Sequence, residues 1–219
     1  MGYHETSIKR IEALIGEIQG RKAHAYAATT YRDTPALREL VAMAEEQLVK
    51  ECDRDTLEDS ILIFRFVAES YDSMGRFALS ARLYHTVLSL AVELKDTYGE
   101  DTPDVADLYY AALAARNFYV DDDCDDLAML AERLMPFEKA RKMLCERQAR
   151  RRSLKHDSVE MSEAYLAVVD AVEERLEKNC TLHGRGSCHE AWRLRREYLA
   201  EYGIEWHSVG ELNPSVHFD

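Results

Sequence analysis

Residues 61–90 read ILIFRFVAESYDSMGRFALSARLYHTVLSL, and this stretch decides the fold. Two series of apolar residues recur three or four positions apart on either side of Gly75: Ile61, Phe64, Val67, Ala68 and Tyr71, then Phe77, Ala81, Tyr84, Leu88 and Ala91. This spacing is typical of amphipathic helices, and a glycine between two periodic series indicates a break. The stretch therefore predicts two helices joined by a turn.

Helical periodicity continues in both directions from this pair. An apolar stripe from Ile8 to Ile18 predicts a first helix that ends at Gly20. Asp55 followed by Glu58, and Asp157 followed by Glu160, both match a capping box at a helix start. Sustained strand alternation is absent, so the sequence predicts an all-α fold, either a globular bundle or stacked antiparallel helical hairpins.

Composition limits the classes of function. The chain has 219 residues, of which 28 are Lys or Arg and 41 are Asp or Glu, which gives a net charge of −13. This charge disfavours nucleic acid as a partner. The longest apolar run, residues 108–115, is too short to cross a membrane. The five cysteines are odd in number and scattered, and the first residues lack an apolar signal segment, so we expect a cytoplasmic protein.

The central pair of helices resembles a tetratricopeptide repeat. The matching residues are the small and large packing positions and the intervening glycine: Val67, Ala68, Tyr71, Gly75, Phe77, Tyr84, Val87 and Leu88. Ser80 departs from the pattern, because the family usually has Ala there. The resemblance implies a right-handed stack of helical hairpins, in which small residues let paired helices approach closely.

The segment that follows extends the resemblance. Residues 94–106 read LKDTYGEDTPDVA, which is similar to the connector of the longer, kinesin-light-chain-like repeats and implies a second helix pair from Pro103. The match decays at Val120, so it covers about 55–134. We expect capping helices in 1–54, repeats in 55–156, and C-terminal helices with an aromatic tail packed on the repeats in 157–219.

The resemblance implies a role in binding a protein or peptide. In such repeats the first helix of each pair lines a groove, which would place Arg65, Glu69, Asp72 and Ser73 on the first repeat, and Tyr110, Leu113 and Asn117 on the next. The alternative is a solvated helix face without a ligand. A homodimer through exposed ends of a short array is also left open.

Two clusters suggest a metal-dependent enzyme as the alternative function. Asp122, Asp123 and Asp126 have the spacing of an Asp-rich Mg²⁺ motif in all-helical isoprenoid synthases, although carboxylates at a helix start also serve as caps. Asp121, Asp123, Asp125 and Glu132 could form a calcium loop, but Asp126 stands where the loop needs Gly.

The other cluster combines cysteine and histidine. Cys180, His183, Cys188 and His189 lie within ten positions, and Zn²⁺ takes such ligands. The alternative is a hydrogen-bonded loop. A further hypothesis is that Cys188 is a thiol nucleophile and His189 its base. We assign no catalytic residue, and an enzyme is the less favoured class. The expected cofactor is none, with zinc as the candidate if one is bound.

Two further segments stand out from the rest of the chain. Residues 139–155 are basic and could contact an acidic partner or bind nucleic acid locally, or could simply balance the acidic cluster. The last 32 residues hold both tryptophans, Trp192 and Trp206. We expect this aromatic tail to cover an apolar helix face.

Overall fold

A computed structural model of the chain describes residues 3–25, 30–119, 124–149, 154–180 and 187–218. The α-helices in the described residues are α1 (Glu5–Ala25), α2 (Thr34–Lys50), α3 (Arg54–Ser73), α4 (Phe77–Tyr98), α5 (Val105–Arg116), α6 (Asp125–Leu134), α7 (Phe137–Ala149), α8 (Glu163–Asn179), α9 (Ser187–Glu201) and α10 (Val209–Leu212). Short 3₁₀ helices cover Tyr31–Asp33 and Ser158–Met161. No strand longer than an isolated bridge occurs in the described part of the chain, so the all-α prediction is confirmed.

The chain divides into two compact units. Unit 1 comprises Met1–Arg116 and Asp123–Arg150, and unit 2 comprises Asn117–Asp122 and Arg151–Asp219. The three segments expected from the sequence, 1–54, 55–156 and 157–219, stay a prediction.

Unit 1 is centred on α4. This helix packs against α3 on one side and against α5 and α6 on others, while α2 packs on α3 and α1 on α2. Small residues permit these close approaches, since Ala68, Ala81 and Ala91 are at most 1% exposed. Large side chains such as Phe64 and Leu88 fill the remaining space and are equally buried. The apolar stripes read from 61–90 therefore form the core of this unit.

Glycine and proline residues lie at the ends of several helices. Gly75 and Gly99 have φ of 71°, in the left-handed region that glycine adopts without steric cost. Gly99 is the C-cap of α4. Pro136 separates α6 from α7, because a proline inside a helix removes one hydrogen bond and clashes with the preceding turn. The break predicted at Gly75 is therefore confirmed.

Other predicted helix starts and ends are wrong. The first helix continues through Gly20 to Ala25, since a single glycine weakens a helix without ending it. The cap of α3 is Asp53, whose carboxylate accepts a hydrogen bond of 2.9 Å from the Thr56 N–H, and not Asp55. The helix expected from Pro103 begins at Val105, because Asp104 has a left-handed φ of 58° that interrupts the helical backbone.

The predicted capping box at Asp157 and Glu160 is also wrong. Asp157 caps a 3₁₀ turn by accepting from the Val159 N–H at 3.0 Å, and α8 starts later, behind its own cap Ser162. The Glu160 side chain does not accept a hydrogen bond from the Asp157 backbone N–H, as a capping box requires. Its carboxylate is 6% exposed and accepts a hydrogen bond of 2.9 Å from the Trp206 indole N–H.

Unit 2 is organised around this buried carboxylate. The second oxygen of Glu160 lies 3.2 Å from His156 Nδ1 and 3.5 Å from the Tyr119 hydroxyl. The Arg195 guanidinium lies 5.6 Å from the Trp206 ring centre. A buried carboxylate is costly unless several donors surround it, and these side chains supply them. Within unit 2, Trp206 thus joins the C-terminal tail to the 3₁₀ helix that carries Glu160.

Every described helix is either too short or too polar to cross a bilayer.

Candidate binding groove

A cavity of about 370 Å³ lies between α3 and α5 in unit 1. Both helices pack on α4, and residues of the loop between α4 and α5 complete the lining. The cavity is lined by Glu58, Ile61, Leu62, Arg65, Leu94, Glu100, Asp101, Thr102, Pro103 and Leu108. We call this cavity the α3–α5 groove.

The floor of the groove is apolar. Ile61, Leu94 and Leu108 are 5% exposed or less, and each contributes an aliphatic side chain to the lining. Leu62 lies at the rim and is 63% exposed. A leucine that is fully buried by a ligand contributes about 1.5–3 kcal/mol of binding free energy, so this rim residue is a strong potential contact.

Charged side chains surround the apolar floor and are engaged with one another. Arg65 donates to Glu69 at 2.9 Å and lies 3.8 Å from an Asp104 oxygen. Its hydrogen bond to Glu69 raises the pKa of the Arg65 guanidinium above the ordinary value. Lys95 lies 2.9 Å from Asp101. These pairs are solvent-exposed or half-exposed, so they order the rim more than they stabilise the fold.

The loop that closes the groove contains a strained residue. Asp104 has a φ of 58°, a conformation that costs most residues roughly 1–2 kcal/mol and that Asp tolerates better than bulky residues do. The N–H groups of Asp107 and Leu108 donate to the Asp104 carbonyl at 2.8 and 3.0 Å, so this residue also starts α5. The strained backbone turns the chain from Pro103 into the helix and fixes the edge of the groove.

The structure places the groove residues expected from the sequence in several locations. Arg65 lines the α3–α5 groove, and Glu69 is bonded to it. Asp72 and Ser73 are exposed at the C-terminal end of α3 and do not line the cavity. Although Asp72 is exposed as a residue, partial desolvation of its carboxyl raises the pKa of that group. The Ser73 hydroxyl donates to the Ser70 carbonyl at 2.8 Å.

The residues expected on the second repeat are not among those that line this cavity. Tyr110 is 43% exposed, and the Arg147 guanidinium of α7 lies 5.4 Å from its ring centre. Leu113 is 1% exposed and belongs to the core of unit 1. Asn117 belongs to unit 2. The structure therefore brings Arg65 and Glu69 together but does not bring Tyr110, Leu113 and Asn117 to the same groove.

The predicted zinc ligands are described only in part, because His183 lies outside the described residues. The Cys180 thiol lies 3.4 Å from Glu190 Oε2, and His189 Nε2 lies 3.2 Å from the Phe218 carbonyl. The His189 ring packs edge-on against Trp192. Cys188 is half-buried at the start of α9. No convergent group of three or more metal-ligating side chains occurs among the described residues.

The acidic cluster also falls partly outside the described residues, which exclude Asp121, Asp122 and Asp123. Asp126 accepts a hydrogen bond of 2.7 Å from Arg116 and lies 3.5 Å from His85. Although burial opposes it, this pairing holds the pKa of the Asp126 carboxyl below its usual range.

Two other members of the predicted calcium loop are described, Asp125 and Glu132. Arg141, from the basic segment 139–155, lies 2.5 Å from Glu132 and 3.9 Å from Asp125. The described part of the acidic cluster thus contacts cations of its own unit.

Comparison with protein-family models, with curated proteins and with solved structures yields no match for this chain. The class of protein that can be stated is therefore an all-α protein with an apolar groove rimmed by charged side chains.

Leu62 is a groove residue that the sequence did not predict. It lies next to Ile61 and one turn before Phe66, off the stripe that forms the core. A large apolar side chain outside the buried stripe of an amphipathic helix is the signal that could have identified it. Glu100, Asp101 and Pro103 were also missed as lining residues, because their position depends on how the loop folds back.

Proposed function

We propose that this protein is an interaction module that holds a segment of a partner protein in the α3–α5 groove. The observation that carries the proposal is the apolar floor between two helices, with Leu62 exposed at its rim. Single exposed leucines are common on protein surfaces, but one beside an open apolar cavity offers a ligand a contiguous apolar contact. The ordered charges at the rim would orient the bound segment.

The tetratricopeptide-like interpretation is part of this proposal. The three-residue turn between α3 and α4, the buried small residues at their contact and the position of Arg65 in the groove all support it. We also propose a cytoplasmic location, on the basis of the scattered and odd-numbered cysteines in the sequence.

Substitution of Leu62 by Glu tests the proposed function. The wild-type chain and the Leu62→Glu variant would each be used to capture partners from a lysate of the native host, with quantitative mass spectrometry as the readout. We expect at least one partner to be captured about tenfold less by Leu62→Glu, because a charge replaces a buried apolar contact. The identified partner is then titrated directly against both chains.

Val49→Glu is the matched control, since Val49 is 88% exposed on α2 and does not line the groove. This variant should capture the same partner as the wild-type chain. Equal capture of every partner by all three chains would contradict the proposed function. Circular dichroism would verify that both variants keep the helical content of the wild-type chain.

A further inference from the structure

A second apolar cavity lies on the other side of Leu62. Its volume is about 270 Å³, and it is lined by Tyr3, Ile8, Ile11, Glu12, Ile15, Asp59, Leu62 and Ile63. The Tyr3 hydroxyl lies 2.9 Å from Ser60 Oγ, and this hydrogen bond ties the segment before α1 to α3. Because Leu62 lines both cavities, they form one apolar strip across the face of α3. We call the second cavity the α1–α3 cavity.

This strip exposes large aliphatic side chains. Leu62 is 63% exposed and Ile8 is 41% exposed, while other lining residues such as Ile11 and Ile63 are buried beneath them. The strip therefore has a buried apolar floor and two exposed apolar side chains that a ligand can cover. Contiguous apolar surface of this kind is characteristic of interaction sites.

The charges that line the strip are mainly negative. Carboxylates line both cavities: Glu12 and Asp59 in the α1–α3 cavity, and Glu58, Glu100 and Asp101 in the α3–α5 groove. Arg65 is the cation among these lining residues, and it is already bonded to Glu69. Arg54 lies 3.2 Å from Glu58 and 3.3 Å from Glu100, and Lys95 lies 2.9 Å from Asp101. Carboxylates still outnumber cations along the strip. Burial, together with repulsion from Asp55, Glu58 and Asp53, raises the pKa of the Asp59 carboxyl.

We infer that the strip binds a cationic segment of a partner protein through two apolar side chains, one in each cavity. The inference rests on the proposed function and specifies the chemistry of the partner. Charge complementarity favours Lys and Arg beside the apolar anchors, because carboxylates outnumber cations among the residues that line the strip. A second copy of this chain is disfavoured, since each copy carries a net charge of −13.

Selection from a random peptide library on the immobilised full chain provides the probes. Peptides are retained when they bind the wild-type chain but not the Leu62→Glu variant. We expect the retained peptides to carry a net positive charge and at least two large apolar residues. Retained peptides that are neutral or acidic would overturn the inference while leaving the proposed function intact. Failure to retain any peptide would count against both.

Substitutions in the α1–α3 cavity separate the two proposals. Ile8→Glu should weaken a retained peptide about tenfold, whereas Val49→Glu should leave its affinity unchanged. If Ile8→Glu leaves the affinity unchanged, the ligand occupies the α3–α5 groove alone, so the inference fails and the proposed function stands.

Neutralisation of carboxylates tests the charge of the partner. A variant with Glu12→Gln, Glu58→Gln and Asp59→Asn should bind a retained peptide several-fold more weakly at about 50 mM NaCl, and the difference should shrink at about 300 mM because salt screens exposed charges. The control carries Glu45→Gln and Glu138→Gln, at exposed positions outside both cavities. Equal loss in both variants would overturn the inference.

Sedimentation of the wild-type chain tests whether a second copy of this chain, the other candidate ligand, binds the strip. We expect Leu62→Glu to leave the oligomeric state of the chain unchanged. A dimer that dissociates in this variant would identify a second copy as the occupant, and would overturn the cationic segment.

Discussion

The two units of this protein are stabilised by different kinds of contact. In unit 1, helices pack through small and aliphatic side chains, and Ala68, Val67 and Leu88 are fully buried. In unit 2, the buried centre includes the Glu160 carboxylate, which accepts from the Trp206 indole. Apolar packing leaves a periodic pattern in the sequence, whereas a polar network depends on individual residues far apart in the chain. For this reason, the contacts of unit 1 are easier to predict from the sequence than those of unit 2.

The largest effect should come from removing a core side chain of unit 1. Phe64→Ala should lower the free energy of unfolding by about 3–5 kcal/mol, because Phe64 is 1% exposed and its loss leaves a cavity. The matched control is Leu62→Ala, at a position 63% exposed, which should change stability by less than about 1 kcal/mol. Urea denaturation followed by circular dichroism measures both. Similar losses in the two variants would contradict the assigned core.

Removing the central carboxylate of unit 2 should have the next largest effect. Glu160→Ala should cost about 3 kcal/mol, because it leaves the donors of Trp206 and Tyr119 buried without their acceptor. Glu160→Gln should cost less, since its amide oxygen can still accept one hydrogen bond. Tryptophan fluorescence during urea denaturation reports on unit 2, which contains both tryptophans. An Ala variant as stable as the Gln variant would show that the hydrogen bonds contribute little.

The free energy of unfolding at high pH tests the burial of Tyr84 in unit 1. Burial raises the pKa of Tyr84 from 10.0 to about 12. The unfolded chain therefore loses its phenolic proton first, and the stability from this group is complete below pH 10 and lost as the pH rises towards 12. Between about pH 9 and pH 11, the wild-type chain should lose about 1 kcal/mol more stability than Tyr84→Phe. Equal losses would indicate that the pKa of Tyr84 is the same in the folded and the unfolded chain.

The smallest effect is expected at Ser80, where the sequence departs from the tetratricopeptide pattern. Ser80 is fully buried on α4, and within the described residues its hydroxyl oxygen has no hydrogen-bond partner. Ser80→Ala should raise the free energy of unfolding by about 1 kcal/mol, because a buried polar group is no longer left unsatisfied. The control is Ser89→Ala, whose hydroxyl donates to the His85 carbonyl at 2.9 Å and which should be neutral or slightly destabilising. A destabilised Ser80→Ala variant would contradict this account.

Much of the fold could be predicted, because helix propensity and apolar periodicity are local properties. The breaks at Gly75, Gly99 and Pro136 follow from backbone sterics that hold in any surroundings. The caps were less predictable. Asp53 and Asp55 are both suitable caps, and the choice of Asp53 depends on where the first turn of α3 can form.

The candidate groove could be predicted only in part. Arg65 was expected there from a resemblance, and the structure places it in the cavity lining. Tyr110 was expected there on the same grounds, but it lies beside Arg147 of α7. The face that a helix presents to a groove depends on its rotation against neighbouring helices, which sequence spacing does not determine.

The sequence by itself determined the helical class, the core stripes of unit 1 and the negative charge, since each of these depends on residue types and their local order. Only the tertiary structure decided that Leu62 stands exposed between two cavities and that Glu160 is buried beneath Trp206. Both results require residues distant in the chain to meet, and the free energy of such contacts depends on packing and hydrogen-bond geometry that no local pattern specifies.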